Sequence, residues 1–172
     1  MADFDKYAPI LKAWEGGYAV VPGDAGGATN MGVTITTFQM HYGQDKTIID
    51  LQRMTDQQWR AIMKGDFWDK CWGDMIRDQS VAESIVDWCI NSGTGMLKKV
   101  QGMVGTKADG IMGPKTLSAI NSADQRKLHY RIKAARLAHL SDISTKGSNL
   151  KFFDGWINRV AALCYGKSMR RP

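Results

Sequence analysis

The sequence predicts a mainly helical α+β fold with one small β-hairpin element, and three observations carry that prediction. Apolar residues recur at spacings of three and four through most of the chain, the period of a helix with one buried face. One segment, residues 18–36, departs from it, with Tyr18, Val20, Val21, Val33 and Ile35 set around Pro22 and four glycines. The longest apolar runs span only a few residues, which excludes membrane insertion as a transmembrane helix.

The elements follow in order. Phe4, Tyr7, Ile10, Leu11 and Trp14 form one stripe and predict a first helix over 3–14, with Asp3 or Asp5 at its N-terminal end. Gly16 and Gly17 stop it, because glycine takes the left-handed conformation at a helix C-terminus. The segment 18–36 suits short strands or a wide hairpin. Helices are then expected over 36–42, 55–67 (Thr55 as cap), 80–92, 95–104, 114–122, 124–141 and 151–167. Pro114 stands at a first helical position, where its missing N–H costs nothing. No repeat or linker interrupts the chain. A division near residue 90 separates regions 1–90 and 91–172, packed as one compact unit.

A chain of 172 residues can bury a core without staples. Cys71, Cys89 and Cys164 lack metal-like spacing and are expected as buried free thiols. His41, His129 and His139 are well separated, so structural or surface roles are expected and no metal. The N-terminus, Met1-Ala2-Asp3-Phe4-Asp5-Lys6, lacks the basic and apolar stretches of a signal peptide. Synthesis in the cytoplasm is therefore expected, with release by another agent if the protein acts outside. The net charge of +6 is uneven: residues 1–122 carry −2 and residues 123–172 carry +8. Such a basic half attracts polyanions, bacterial wall or nucleic acid alike.

Chemistry concentrates near the N-terminus. Glu15 sits where the first helix ends, close to its packed stripe, where desolvation raises a carboxyl pKa. A negative charge there also opposes the helix dipole, an unfavourable place that suggests a function. Asp24, nine residues on in Asp24-Ala25-Gly26-Gly27, is its natural companion, and a turn aspartate bonding backbone N–H groups is the competing role. Two carboxyl groups brought to one cleft from different elements are what glycosidic cleavage requires. Thr29 and Asn30 are candidates to position water or bind a sugar hydroxyl, and Tyr18, three residues after the acid, is a further candidate sugar contact. Asp87 and Asn91 share a helix face and are candidates for bonding acetamido groups, although helix-end duties compete for Asp87. The six tryptophans occur mostly at core spacing, with one or two at a cleft rim expected.

Together, Glu15-Gly16-Gly17-Tyr18, Asp24-Ala25-Gly26-Gly27-Ala28-Thr29-Asn30 and Gly32-Val33-Thr34 resemble the opening of glycoside hydrolase family 108, bacterial and phage N-acetylmuramidases. Asp87-Trp88-Cys89-Ile90-Asn91-Ser92-Gly93, Asp109-Gly110-Ile111-Met112-Gly113-Pro114-Lys115-Thr116 and Gly155-Trp156-Ile157-Asn158-Arg159-Val160 extend the resemblance, the later blocks to the peptidoglycan-binding region that accompanies the family. It implies a lysozyme-like fold, Glu15 as the essential glutamate, no cofactor, and cleavage between N-acetylmuramic acid and N-acetylglucosamine in peptidoglycan. A phage or prophage endolysin, released through a holin or secretion system, fits that picture. The chain departs from the family at Val20-Val21-Pro22-Gly23, which is less polar, and at Met31, where an aromatic is frequent.

On this reading Glu15 protonates the bridging oxygen, while Asp24 stabilises the cationic centre or activates water. A non-catalytic wall-binding protein, using residues 109–116 and the basic half, is one rival. A hydrolase of another aminosugar polymer is a second. Nucleic-acid binding through Arg126, Lys127, Arg131, Lys133 and Arg136 is disfavoured, since these cations fall on more than one helical face without interleaved aromatics.

Overall fold

The computed structural model describes residues 1–20, 27–146 and 149–167. Helix α1 (Phe4–Trp14) is capped by the Asp3 carboxylate, which accepts from the Asp5 N–H at 2.8 Å. It buries Phe4, Tyr7, Ala8 and Leu11. A three-stranded antiparallel sheet follows, β1 (Tyr18–Val20), β2 (Ala28–Asn30) and β3 (Val33–Thr34), with Ala19 opposite Thr29 and Asn30 opposite Val33. The expected hairpin therefore carries a third strand. Thr34 then caps α2 (Ile35–Tyr42).

Helix α3 (Ile48–Gln52) was not expected, because five residues are too few for a periodicity; a capping box between Thr47 and Asp50 stabilises it. Thr55 caps α4 (Asp56–Met63) in a second capping box with Gln58. The expected continuous helix to residue 67 instead widens into a π-helical turn, Lys64–Trp68, where the Asp69 N–H donates to the Lys64 carbonyl at 2.8 Å. The turn leaves the Trp68 indole buried, its N–H donating to Asp74 at 2.7 Å.

Helix α5 (Gln79–Ser92) crosses the centre of the molecule, and every residue from Ser80 to Cys89 is buried. Around it stand α6 (Leu97–Met103), α7 (Pro114–Ser122), α8 (Gln125–Ser144) and α9 (Phe153–Ala161), with α8 packed on α5 and α9 on α8. Pro114 opens α7 at its first position. Helix α9 ends earlier than expected because Lys133 Nζ on α8 donates to the carbonyls of Ala161 and Leu163, both at 2.9 Å, closing its C-terminus. Cys71 and Cys89 are buried thiols with sulfurs 3.7 Å apart, whereas Cys164 is exposed, contrary to expectation, beyond the end of α9. Among the described residues no helix is long and apolar enough to cross a membrane.

A buried helix bearing polar residues must find each of them a partner. Ser84 pairs with His129 Nδ1 at 2.9 Å. Glu83 accepts from the Gln79 side-chain amide at 2.8 Å, and that amide also donates to the Asp3 carbonyl at 3.1 Å, tying α5 to the start of α1. Burial pushes the Glu83 carboxyl up to about 7, against the Gln79 hydrogen bond. A carboxyl whose folded pKa is raised stabilises below its unfolded value, and that contribution is lost as pH rises through the folded value. Stability should therefore fall between about pH 4.5 and about pH 7, by on the order of 3 kcal/mol from this group. Urea denaturation of Glu83→Gln should show a variant more stable than the parent at pH 8 and no such gain at pH 4.

Candidate active site

Glu15 is the residue on which α1 ends. Its N–H still donates to the Leu11 carbonyl at 3.1 Å, and Gly16 follows in the left-handed region at φ 71°. The chain leaves the helix abruptly there, while the Glu15 side chain stays against the body of the protein, only 12% exposed. A carboxyl this buried is favoured in its neutral form.

The turn between β2 and β3 makes one side of its enclosure. Met31 and Gly32 join the two strands with φ of 47° and 77°, the positive pair that a tight two-residue hairpin needs. Met31 holds this strained conformation with its carbonyl fixed by the buried Trp59 indole N–H at 2.9 Å. Gly32 is required twice over: for its φ, and because a Cβ there would collide with Oε2 of Glu15. The hairpin is thus backbone brought against the acid.

The opposite side is Arg159 on α9, whose Nη2 donates to Glu15 Oε1 at 2.7 Å. The same guanidinium grips Asp87 on α5, with Nη2 at 2.8 Å and Nε at 3.1 Å from Oδ1. Asp87 also accepts from Arg136 Nη2 on α8 at 2.8 Å and from the Tyr7 hydroxyl on α1 at 2.8 Å. Four helices therefore meet in one chain of charges, Glu15–Arg159–Asp87–Arg136.

Its electrostatics follow from burial and pairing. Burial opposes ionisation of Asp87, but Arg159 and Arg136 outweigh it and hold the carboxyl well below the usual range. Arg159 is held protonated despite its burial by Asp87 and Glu15. Burial and Asp87 raise the Tyr7 phenol, which keeps it a donor. At Glu15 burial raises the pKa while Arg159 lowers it, and burial prevails. Because Arg159 can only donate to Oε1, a proton on Glu15 resides on Oε2, the oxygen that faces the Gly32 turn.

The other candidate residues have different places. Asp24 lies outside the described residues. Tyr18 is 39% exposed on β1, available to solvent. Thr29 stands opposite Ala19 on the sheet, its hydroxyl 3.4 Å from that residue's carbonyl. Asn30 is buried, and its amide donates to the carbonyls of Leu51 at 2.9 Å and Gln52 at 3.3 Å, so it fastens the sheet to α3. Asp87 is fully buried, with both oxygens taken by Tyr7, Arg136 and Arg159, which corrects the expectation that it bonds a sugar. Asn91 is exposed and donates to the Asp87 carbonyl at 2.6 Å.

The sequence does not place Arg159 or Arg136 beside the acid: Arg136 stands there among the cations of a basic helix, and Arg159 only within a resemblance block. Each nevertheless interrupts an apolar row: Leu128, Ile132, Arg136 and Leu140 recur at spacings of four, and Arg159 follows Trp156 by three beside Val160. A cation on a buried stripe requires an anion across from it.

A buried carboxyl with a raised pKa at a helix end beside a small sheet, within a mostly helical body, is the arrangement of a glycoside hydrolase of the lysozyme-like fold. The chain belongs to glycosyl hydrolase family 108, whose profile matches residues 8–93. A second profile, described as Predicted Peptidoglycan domain, matches residues 93–161. Among solved structures the chain is similar to SagA of Brucella abortus, with 31% identity and a TM-score of 0.79 over 93% of this chain and 90% of that one. The comparison with curated proteins gives no match. The two matched regions together make this a peptidoglycan-hydrolysing glycosidase. Arg159, which holds the Glu15 carboxyl, falls within the second region.

Removing Arg159 takes a positive charge from Glu15 and leaves Asp87 with one guanidinium. Arg159→Ala should cost about 3–5 kcal/mol of stability by chemical denaturation. In whatever fraction stays folded, the alkaline limb of the pH–activity profile should move upward, since the cation that lowers the Glu15 pKa is gone.

Proposed function

We propose that the protein is an N-acetylmuramidase, hydrolysing the β-1,4 bond between N-acetylmuramic acid and N-acetylglucosamine in bacterial peptidoglycan. The observation that carries this reading is the setting of Glu15, a carboxyl whose pKa is raised by burial yet which is bonded on one oxygen to a buried guanidinium. General-acid cleavage needs both properties in succession. Burial supplies the proton at the start, because the ionised form is poorly solvated. As the proton passes from Oε2 to the bridging oxygen, Glu15 becomes an anion, and Arg159 binds that anion more strongly than the acid it replaces. The pair therefore strengthens as the bond breaks, which is the differential stabilisation that lowers a barrier.

Asp24 is proposed as the companion carboxylate, stabilising the oxocarbenium-like centre or activating water. It falls between β1 and β2 in the chain, the two strands that follow Glu15. Tyr18 and Thr29, on those strands, are proposed to contact the glycan. The tandem of a glycosidase region and a peptidoglycan region supports the polymer as substrate. Reaching it from the cytoplasm would require a holin or a secretion system.

Glu15→Gln preserves the shape and the Arg159 contact but holds no acidic proton. It should fold with an unchanged circular dichroism spectrum and release at least about a hundredfold fewer reducing ends from purified peptidoglycan. Mass spectrometry of the wild-type digest should find muramic acid at the new reducing ends. Reducing-end N-acetylglucosamine, or lysis by the variant at the parental rate, would contradict the assignment.

A further inference from the structure

We propose that a cavity enclosed by α5, α8 and α9 is a subsite for an acetamido group of the glycan. This rests on the reading of the substrate as an N-acetylated aminosugar polymer. The cavity measures about 60 Å³, room for a group of a few heavy atoms, and Asn91 and Ser92 at the end of α5 line it. Arg136 lines it and is 3% exposed. Its Nη2 is engaged by Asp87, but Nη1 is buried with no hydrogen-bond partner among the described residues. A charged donor shut away from water and left unpaired is costly, so an occupant that presents an acceptor is favoured at that spot.

The remaining walls say what else the occupant carries. Trp88, Leu140, Ile143 and Trp156 bring apolar surface, which suits a methyl group, and Asn91 and Ser92 add only neutral polar groups. The Arg136 charge is already matched by Asp87, which is itself held by Arg159. A neutral carbonyl oxygen with a methyl beside it fits these walls, and that is the acyl end of an N-acetylamino sugar. Trp156 is half-buried on α9, one turn before Arg159, so the cavity and the catalytic acid are joined through the same helix and the same chain of charges.

The test separates binding from hydrolysis. In the full-length Glu15→Gln protein, titration calorimetry is run with chitotetraose and with cellotetraose, both neutral and β-1,4-linked, of which only the first carries acetamido groups. Chitotetraose should bind at least about tenfold tighter, the ratio that about 1.4 kcal/mol produces. Adding Ile143→Phe, which fills the cavity, should bring the two affinities together without changing the thermal midpoint by more than a few degrees. Ser92→Trp at the rim is the second blocking variant and decides the matter if the first unfolds. Equal affinities in the unblocked protein, or a contrast that survives blocking, would overturn the subsite and leave a water-filled void. Failure of the wild type to release reducing ends from peptidoglycan would instead overturn the substrate reading.

Discussion

The position of everything near the acid depends on one buried anion. Asp87 has no access to solvent, yet it stays ionised because two guanidiniums and a phenol close around it. Burying a charge is costly unless its partners are well placed, and breaking such a cluster costs more than the cluster gains. Tyr7, Asp87, Arg136 and Arg159 come from α1, α5, α8 and α9, so those helices are obliged to meet in one arrangement. Among the described residues, the Glu15 side chain is attached to that arrangement through Arg159. The proposed catalytic acid is thereby positioned by α9, from a residue 144 positions away.

This gives the second matched region a role beyond holding wall polymer. The guanidinium bonded to Glu15 belongs to residues 93–161, whereas the acid and its hairpin belong to 8–93. It also changes the meaning of the basic C-terminal half. Arg136 and Arg159 are consumed internally by Asp87 and Glu15, Lys133 closes α9, and Arg131 donates to the Met103 carbonyl at 2.9 Å. Two of the eleven cations of that half, Arg136 and Arg159, are therefore matched by buried carboxylates and not available for long-range steering.

The helical stripes, the Thr55 cap, the Pro114 start and the stop at Gly16 were legible because each depends on neighbours in the chain. The place of Glu15 at the helix end was legible for the same reason: a lone acid between an apolar stripe and two glycines. What local pattern does not carry is pairing at long range. Asn30 read as a polar hairpin residue or a candidate for water or a sugar hydroxyl, because nothing in its own segment reveals the α3 carbonyls it serves, and α3 itself is shorter than any periodicity. Asp87 read as a cleft residue because its two arginines lie 49 and 72 positions away. Tyr7 read as one more apolar stripe residue, and only its hydroxyl, reaching across to α5, shows otherwise.

The central claim is that burial outweighs Arg159 in deciding whether Glu15 keeps its proton. The chain contains only two glutamates, Glu15 and Glu83, so carbon-13 labelling of glutamate carboxyls gives two resonances, assignable with Glu83→Gln. Followed against pH by NMR, the Glu15 signal should titrate above the ordinary value of 4.5. Titration at or below that value would show that the arginine wins, and the acid described here would hold no proton to give.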